Sequence, residues 1–288
     1  MSKLGAILRL TRIEHSLMLV IAVVAAELMA GGIPTPQVFA LSLVTPILIS
    51  MAAFAINDYY DIAVDRANKK ERPLVTGELS RCDALVITYA CLAIGILASV
   101  FINVYAFVIA TVFGGLALLY SYRLKELLFW GNAYIAFSMA IPFIYGSYVE
   151  SQGMGAAVIL VALMIFLGGI AREIHGTIRD LKGDTIARNV RSFAKVFGVR
   201  SSALIALVLY LIAIAISIFL FVAIMPFRLN ATYLVLILIT DVMLAWLGMM
   251  HIYIRGRLFY SFSRNLSLAA MTLALVTMLL AQLLPFYI

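Results

Sequence analysis

Cysteine, histidine and charged side chains are scarce in this chain. Its 288 residues include two cysteines and three histidines, and Asp, Glu, Lys and Arg together make up 12% of them. Cys82 and Cys91 give neither a disulfide framework nor the paired spacing of a zinc site, and the histidines are not spaced as ligands for zinc or haem. The sequence therefore argues against a disulfide-stabilised fold and against a zinc or haem centre.

Long apolar runs take up most of the chain instead. Hydrophobic residues form 65% of it, whereas a soluble domain has roughly half. A helix needs roughly 20 largely apolar residues to cross a bilayer, and nine runs in the sequence qualify. They lie at about 13–31, 38–60, 83–101, 104–122, 131–149, 154–174, 201–224, 230–250 and 265–285. We therefore predict an all-α polytopic membrane protein with nine transmembrane helices.

Basic residues lie almost entirely on one side of these predicted helices. Of the 21 lysines and arginines, 20 fall in the N-terminal segment or in the connections after the second, fourth, sixth and eighth helices, and Arg228 lies on the other side. The positive-inside rule makes the basic side cytoplasmic. We expect the N-terminus inside, the C-terminus outside, and the first run retained as a helix, because no small-residue cleavage site follows it.

Four oxygen-bearing side chains lie at the end of the second apolar run and just after it: Asn57, Asp58, Asp61 and Asp65. Their spacing of three or four residues would place them along one side of a helix. Ionisable groups so close to a membrane are costly and usually functional. A hard cation among the oxygens would offset their mutual repulsion, so we predict a Mg²⁺ site at the inner end of the second helix.

A second acidic stretch follows the sixth run. Asp180 and Asp184 repeat the spacing of Asp61 and Asp65 after 119 residues. Two opposed carboxylate clusters, each followed by Arg and Lys, are the arrangement expected for a magnesium–diphosphate site, because Mg²⁺ bridges carboxylate to phosphate oxygens and arginine binds the remaining phosphate charge. The alternative is a solvated surface of ion pairs, which would account for loop acids alone.

The repeated acidic spacing also predicts the domain organisation. We expect one membrane domain over residues 1–288, built from a pseudo-repeat of 1–125 and 126–250 with a ninth helix at 265–285. The two acidic pairs would then lie at equivalent places and face each other across a central cavity.

These two stretches resemble the signatures of the UbiA family of membrane prenyltransferases. The first signature is matched by Asn57-Asp-Tyr-Tyr-Asp-Ile-Ala-Val-Asp65 with the following Arg72-Pro73. The second is matched by Arg172-Glu173 and by Asp180-Leu-Lys-Gly-Asp184, although Thr177 stands where family members often carry an acid. The resemblance covers the whole chain, since nine helices with the N-terminus inside are also the family's architecture.

The resemblance implies that Mg²⁺ ions hold a polyprenyl diphosphate between the two stretches, so that an allylic cation forms when the C–O bond breaks. The catalytic residues would be Asp61, Asp65, Asp180, Asp184 and Tyr120, the last through its ring face. The metal ligands would be Asn57, Asp58, Asp61, Asp65, Asp180 and Asp184. The residues binding substrate would be Asn57, Arg72, Lys125, Arg12, Arg172 and Lys182. Alternatively, Tyr120 and Lys125 could form an interfacial belt, and Arg12 could be a membrane anchor.

The spacing after the first acidic stretch bears on which acceptor is prenylated, and two alternative functions stay open. The short spacing from Asp65 to Arg72 looks most like archaeal family members that prenylate the glycerol hydroxyl of geranylgeranylglyceryl phosphate, and an aromatic acceptor of quinone biosynthesis is the close alternative. A cation-coupled transporter is the rival from another class, but both acidic clusters lie at the inner end and no broken helix pair is evident. We expect membrane lipids as surroundings, no nucleic acid and no obligatory protein partner.

We also predict the surroundings of two further acids and the effect of one glycine. Glu27 and Asp241 lie towards the outer half of their helices. We expect Glu27 to be interfacial and Asp241 to form a hydrogen bond between helices. Gly183 is expected to loosen or end the sixth helix.

Overall fold

The computed structural model describes residues 3–127, 129–151, 153–187 and 192–288, and of residues 182–187 the backbone alone. The described residues form α-helices and no strand. The helices are α1 (Lys3–Thr11), α2 (Ser16–Ala30), α3 (Pro36–Ala67), α4 (Pro73–Thr76), α5 (Arg81–Val100), α6 (Val104–Tyr122), α7 (Trp130–Glu150), α8 (Ala156–Ala187), α9 (Phe193–Phe197), α10 (Val199–Ala223), α11 (Ala231–Tyr253) and α12 (Arg257–Leu283). The all-α prediction is confirmed.

Within the described ranges, eight helices are long and apolar enough to cross a membrane: α2 with its preceding turn, α3, α5, α6, α8, α10, α11 and α12. The chain is therefore a multi-pass membrane protein. Helix α7 occupies the place of the fifth predicted run and has 21 residues. It carries Asn132, Ser138 and Ser147, which lower its hydropathy, and the number nine stays a prediction.

The two acid-bearing helices extend beyond the predicted apolar runs. Helices α3 and α8 each have 32 residues, which corresponds to about 48 Å at 1.5 Å per residue, whereas a bilayer core is about 30 Å thick. Gly183 lies within α8, which continues to Ala187. It therefore does not end the helix, because one glycine costs only about 1 kcal/mol in a helix, and a loosening there stays an expectation. The acids therefore lie where these helices extend beyond their apolar segments.

Short helices cover the extension of α3. Ala6 and Leu10 of α1 pack in one buried cluster with Ile62 of α3 and Leu74 of α4. This end of the bundle, where α1, α4 and the last two turns of α3 lie, is called the polar end below. The α1–α4 cover fixes α3 where its acidic residues leave the apolar bundle.

The long helices close into a ring. Helix α3 packs against α5 and α6, α8 against α7 and α10, and α12 against α11 and α2. Small residues allow close approach: a Cβ on Gly146 of α7 would lie 2.7 Å from the carbonyl oxygen of Val23 in α2, and one on Gly169 of α8 would lie 3.0 Å from the Cα of Ala136. Such contacts let backbones pack tightly in membranes. The ring leaves a cavity at its centre.

Candidate active site

The central cavity has a volume of about 640 Å³ and is lined mainly by apolar side chains of α2, α3, α6, α7, α8, α11 and α12. This volume lies in the range of roughly 300–1,000 Å³ that is usual for ligand pockets. At the polar end the lining changes to Arg12, Asn57, Tyr120 and Arg172. The cavity can therefore take a molecule with an apolar tail and a charged head.

Asp58 is held between two arginines beside this cavity. Its side chain is 1% exposed, it accepts a hydrogen bond of 2.6 Å from Nη2 of Arg12, and Nε of Arg72 lies 4.0 Å from its second oxygen. Arg12 adopts a left-handed backbone conformation with φ 47° between α1 and α2, and its guanidinium lies 4.7 Å from the ring centre of Phe54. The turn between α1 and α2 thus directs Arg12 inward, onto α3.

Asp61 and Asp65 are each paired with a lysine. Nζ of Lys125, in the turn after α6, lies 2.8 Å from Oδ1 of Asp61, and both side chains are largely buried. Nζ of Lys70 lies 2.8 Å from Oδ1 of Asp65. The predicted acidic side of α3 is present, and its charges are balanced by cations from three separate segments of the chain.

The acidic side chains described in the second stretch, on α8, do not border the central cavity. Asp180 is about half exposed, accepts hydrogen bonds of 2.7 and 2.6 Å from Arg179, and borders a second cavity of about 170 Å³ rather than the central one. Arg172 is paired with Glu173 at 3.1 Å and borders both cavities. The side chains of Lys182 and Asp184 lie outside the described residues. Of the two stretches, Asn57 of α3 and Arg172 of α8 both line the central cavity.

Preformed metal clusters are not seen among the side chains that the structure describes: no three or more His, Cys, Asp or Glu residues come together. The predicted ligands of α3 fit a hard cation by chemistry, because they offer carboxylate and amide oxygens only. Oδ2 of Asp58 is buried and makes no hydrogen bond within the described structure. A buried acceptor of this kind calls for a partner, and a cation would supply one.

An aromatic wall beside Tyr120 was not predicted. The ring of Tyr134 in α7 stacks on Tyr120 at 4.5 Å between centroids and on Phe113 at 5.5 Å, and all three line the cavity. Tyr122, two residues after Tyr120, is 62% exposed and is not part of the cavity lining. No sequence pattern links Tyr134 to Tyr120, because their contact depends on how α6 and α7 pack.

Two stacked histidines were also missed. The rings of His175 in α8 and His251 in α11 lie 3.5 Å apart at an angle of 8°, and both residues line the second cavity. They lie far apart in the sequence, so spacing gave no signal. Thr177, where this chain departs from the family's pattern, also lines the second cavity.

Of the predictions for Asp241 and Glu27, the two acids in the outer halves of their helices, one is confirmed and one is not. Oγ of Ser217 in α10 donates a hydrogen bond of 2.6 Å to Asp241 in α11, which confirms the predicted link between helices. Glu27 is fully buried and accepts a hydrogen bond of 2.6 Å from Ser42 of α3. The expectation of an interfacial Glu27 is wrong in that its side chain is buried between α2 and α3, where Ser42 offers the carboxyl group a partner.

Comparisons with known proteins agree with this geometry. The model of the UbiA prenyltransferase family matches residues 18–258. The digeranylgeranylglyceryl phosphate synthase of Archaeoglobus fulgidus is 38% identical over 281 residues, which cover 95% of this chain and 94% of that protein. A structure solved for a digeranylgeranylglyceryl phosphate synthase in membranes superposes with a TM-score of 0.80 at 24% identity, covering 98% of this chain and 99% of that one. A UbiA homologue from Archaeoglobus fulgidus bound to GPP and Mg²⁺ gives a TM-score of 0.65 at 19% identity, with 95% and 99% covered.

Proposed function

Because this chain belongs to the UbiA prenyltransferase family, we propose that it transfers a geranylgeranyl group from its diphosphate to the glycerol hydroxyl of geranylgeranylglyceryl phosphate. The main observation in support of this proposal is the apolar cavity, which is lined at its polar end by Arg12, Asn57 and Arg172. The acceptor assignment is supported by the synthase relative at 38% identity, which matches nearly the full length of both chains.

The cavity explains how a polyprenyl chain is held. The walls around the tail are mainly apolar, so the tail can lie in the cavity without contact with water. The same walls exclude water, which would otherwise capture an allylic cation. The diphosphate head then lies at the polar end, where the arginines are.

We further propose Mg²⁺ as the metal, held by Asn57, Asp58, Asp61 and Asp65 of α3 with Asp184 of α8. Asp180, which borders the second cavity and is paired with Arg179, is left out of this set. Oxygen-only donors, and the lack of a hydrogen bond to the buried Oδ2 of Asp58, support this assignment. When bound, Mg²⁺ supplies charge neutralisation for the leaving diphosphate.

The chain's own residues carry the remaining steps. Arg72 and Arg172 bind phosphate oxygens, together with Lys125 and Lys182, and Arg12 fixes Asp58 beside them. The electron pair of the allylic C–O bond leaves with the diphosphate, and the Tyr120–Tyr134 stack stabilises the resulting cation. A lone pair of the glycerol oxygen then forms the new ether bond to the allylic carbon. The hydroxyl proton passes to a carboxylate or diphosphate oxygen at the polar end.

The arrangement in the membrane is part of the proposal. We propose nine crossings, with α7 as the fifth, the N-terminus and polar end in the cytoplasm, and two four-helix units followed by α12. The equal lengths of α3 and α8, 32 residues each, support the pseudo-repeat. The basic connections support the orientation.

The test is to offer the purified protein radiolabelled geranylgeranyl diphosphate with two acceptors, geranylgeranylglyceryl phosphate and an aromatic acid of the quinone-precursor type. We expect label in the glyceryl ether. Transfer to the aromatic ring alone would replace this acceptor with the alternative, and no transfer to either would refute the proposed function.

A further inference from the structure

The second cavity is a polar space apart from the α3 acids. It lies between α8, α11 and α12, has a volume of about 170 Å³, and includes Arg172, Arg179, Arg264, His175, His251 and Ser263 in its lining. We call it the His–Arg cavity. It shares Arg172 with the central cavity, where the reaction is proposed to take place.

One buried side chain in the His–Arg cavity lacks a partner. Nδ1 of His251 lies 2.9 Å from the carbonyl oxygen of Leu247, and its Nε2 lies 3.2 Å from Oγ of Ser263. His175 stacks on this ring and is 6% exposed, yet neither of its nitrogens makes a hydrogen bond within the described structure. A histidine always carries at least one N–H donor. Buried donors are normally paired, so His175 points to a ligand acceptor.

The charges of the cavity favour an anion. Arg172 and Arg179 are each paired with the adjacent carboxylate, Glu173 and Asp180. Arg264 contacts the amide oxygen of Asn265 at 3.3 and 3.4 Å, and no described carboxylate forms an ion pair with it. An uncompensated guanidinium beside an N–H donor and a hydroxyl is the set of groups that binds a phosphate.

We propose that the His–Arg cavity binds the phosphate monoester of the acceptor, a site separate from the α3 acids where the donor diphosphate lies. This inference rests on the proposed function. Arg172 lines both cavities, and only a short glycerol segment separates the phosphate from the hydroxyl group that attacks. A phosphate beside His175 and Arg264 therefore places that hydroxyl at the polar end of the central cavity, next to the allylic carbon.

The donor diphosphate offers the same phosphate chemistry, so the experiment separates the two sources. Turnover is measured with geranylgeranylglyceryl phosphate and with geranylgeranylglycerol, which lacks the phosphate. In His175→Phe, which keeps the ring stack, and in Arg264→Gln, we expect the preference for the phosphorylated acceptor to fall at least about tenfold, equivalent to roughly 1.4 kcal/mol. The loss appears in KM for that acceptor, while KM for geranylgeranyl diphosphate changes less than about twofold. Arg257→Gln, an exposed arginine of the same helix outside the cavity, is the control and keeps the preference.

A binding measurement makes the result independent of turnover. Without donor or metal, geranylgeranylglyceryl phosphate should raise the thermal unfolding midpoint of the wild type and of Arg257→Gln, but much less that of Arg264→Gln. An unchanged preference and unchanged binding in both cavity variants would overturn the inference, as would an equal rise of KM for the donor. Arg264 is exposed, so its variant decides the matter if His175→Phe does not fold. A wild type that binds the phosphorylated acceptor but never prenylates it would contradict the proposed function and leave the His–Arg cavity standing.

Discussion

The contact between Asp61 and Lys125 joins the end of α6 to the acidic side of α3. Its atoms lie 2.8 Å apart, and Lys125 also lies 5.8 Å from the ring centre of Tyr60. The spacing of the acids predicted their common side, because helix periodicity is encoded locally. It did not predict the partner lysine, since that contact forms only when α3 and α6 pack.

Replacing Asp61 with Asn tests its role at the polar end. We expect kcat to fall by about 10²–10³-fold, the usual cost of removing one electrostatic group that acts on the transition state, while the protein stays folded. Glu126→Gln removes an exposed acid near Lys125 and should leave kcat unchanged. A rate in Asp61→Asn equal to that of the wild type would remove Asp61 from the reaction.

Tyr134 tests the aromatic wall. A ring that stabilises a cation contributes about 0.5–2 kcal/mol, so Tyr134→Leu should lower kcat by about two- to thirtyfold with little change in KM. Tyr134→Phe keeps the ring stacked on Tyr120 and should retain most of the rate. If the Phe variant loses as much rate as the Leu variant, the hydroxyl group rather than the ring face matters.

At the scale of elements, apolar runs predicted the long helices well and the short ones not at all. Helix α6 has the predicted bounds, and α5 and α12 begin earlier than expected. Helices α3 and α8 continue past their runs because acids lower hydropathy without ending a helix. Helices α1, α4 and α9 escaped prediction because they are too short to span a membrane, and packing against longer helices stabilises them.

The hydrogen bond between Ser217 and Asp241 links α10 to α11 and gives a prediction for stability. Ser217→Ala leaves the buried carboxyl group of Asp241 without its donor, which should cost about 1–3 kcal/mol and lower the thermal unfolding midpoint in detergent. Ser261→Ala, at an exposed serine of α12, is the matched control. Equal midpoints for the two variants would show that this hydrogen bond does not stabilise the bundle.

For the whole molecule, two short motifs identified the family while the cavities came only from the fold. The unbroken course of α3 and α8 over 32 residues each favours an enzyme over a transporter, whose ion sites usually lie at interrupted helices near mid-membrane. Sequence spacing placed Asp180 with the other acids. The structure instead puts Asp180 at the His–Arg cavity with Arg179. Spacing within α8 could not show this, because the cavity forms only where α8 meets α11 and α12.

For the molecule as a whole, we propose that the acids of α3 hold a metal-complexed diphosphate at the end of a lipid cavity. The most direct test is the binding of geranylgeranyl diphosphate to the purified wild type and to Asp65→Asn, each in Mg²⁺ and in EDTA. We expect Mg²⁺ to tighten binding to the wild type at least about tenfold, roughly 1.4 kcal/mol, and to tighten binding to Asp65→Asn far less. Equal affinity in Mg²⁺ and EDTA, or a full response to Mg²⁺ in Asp65→Asn, would contradict the proposal.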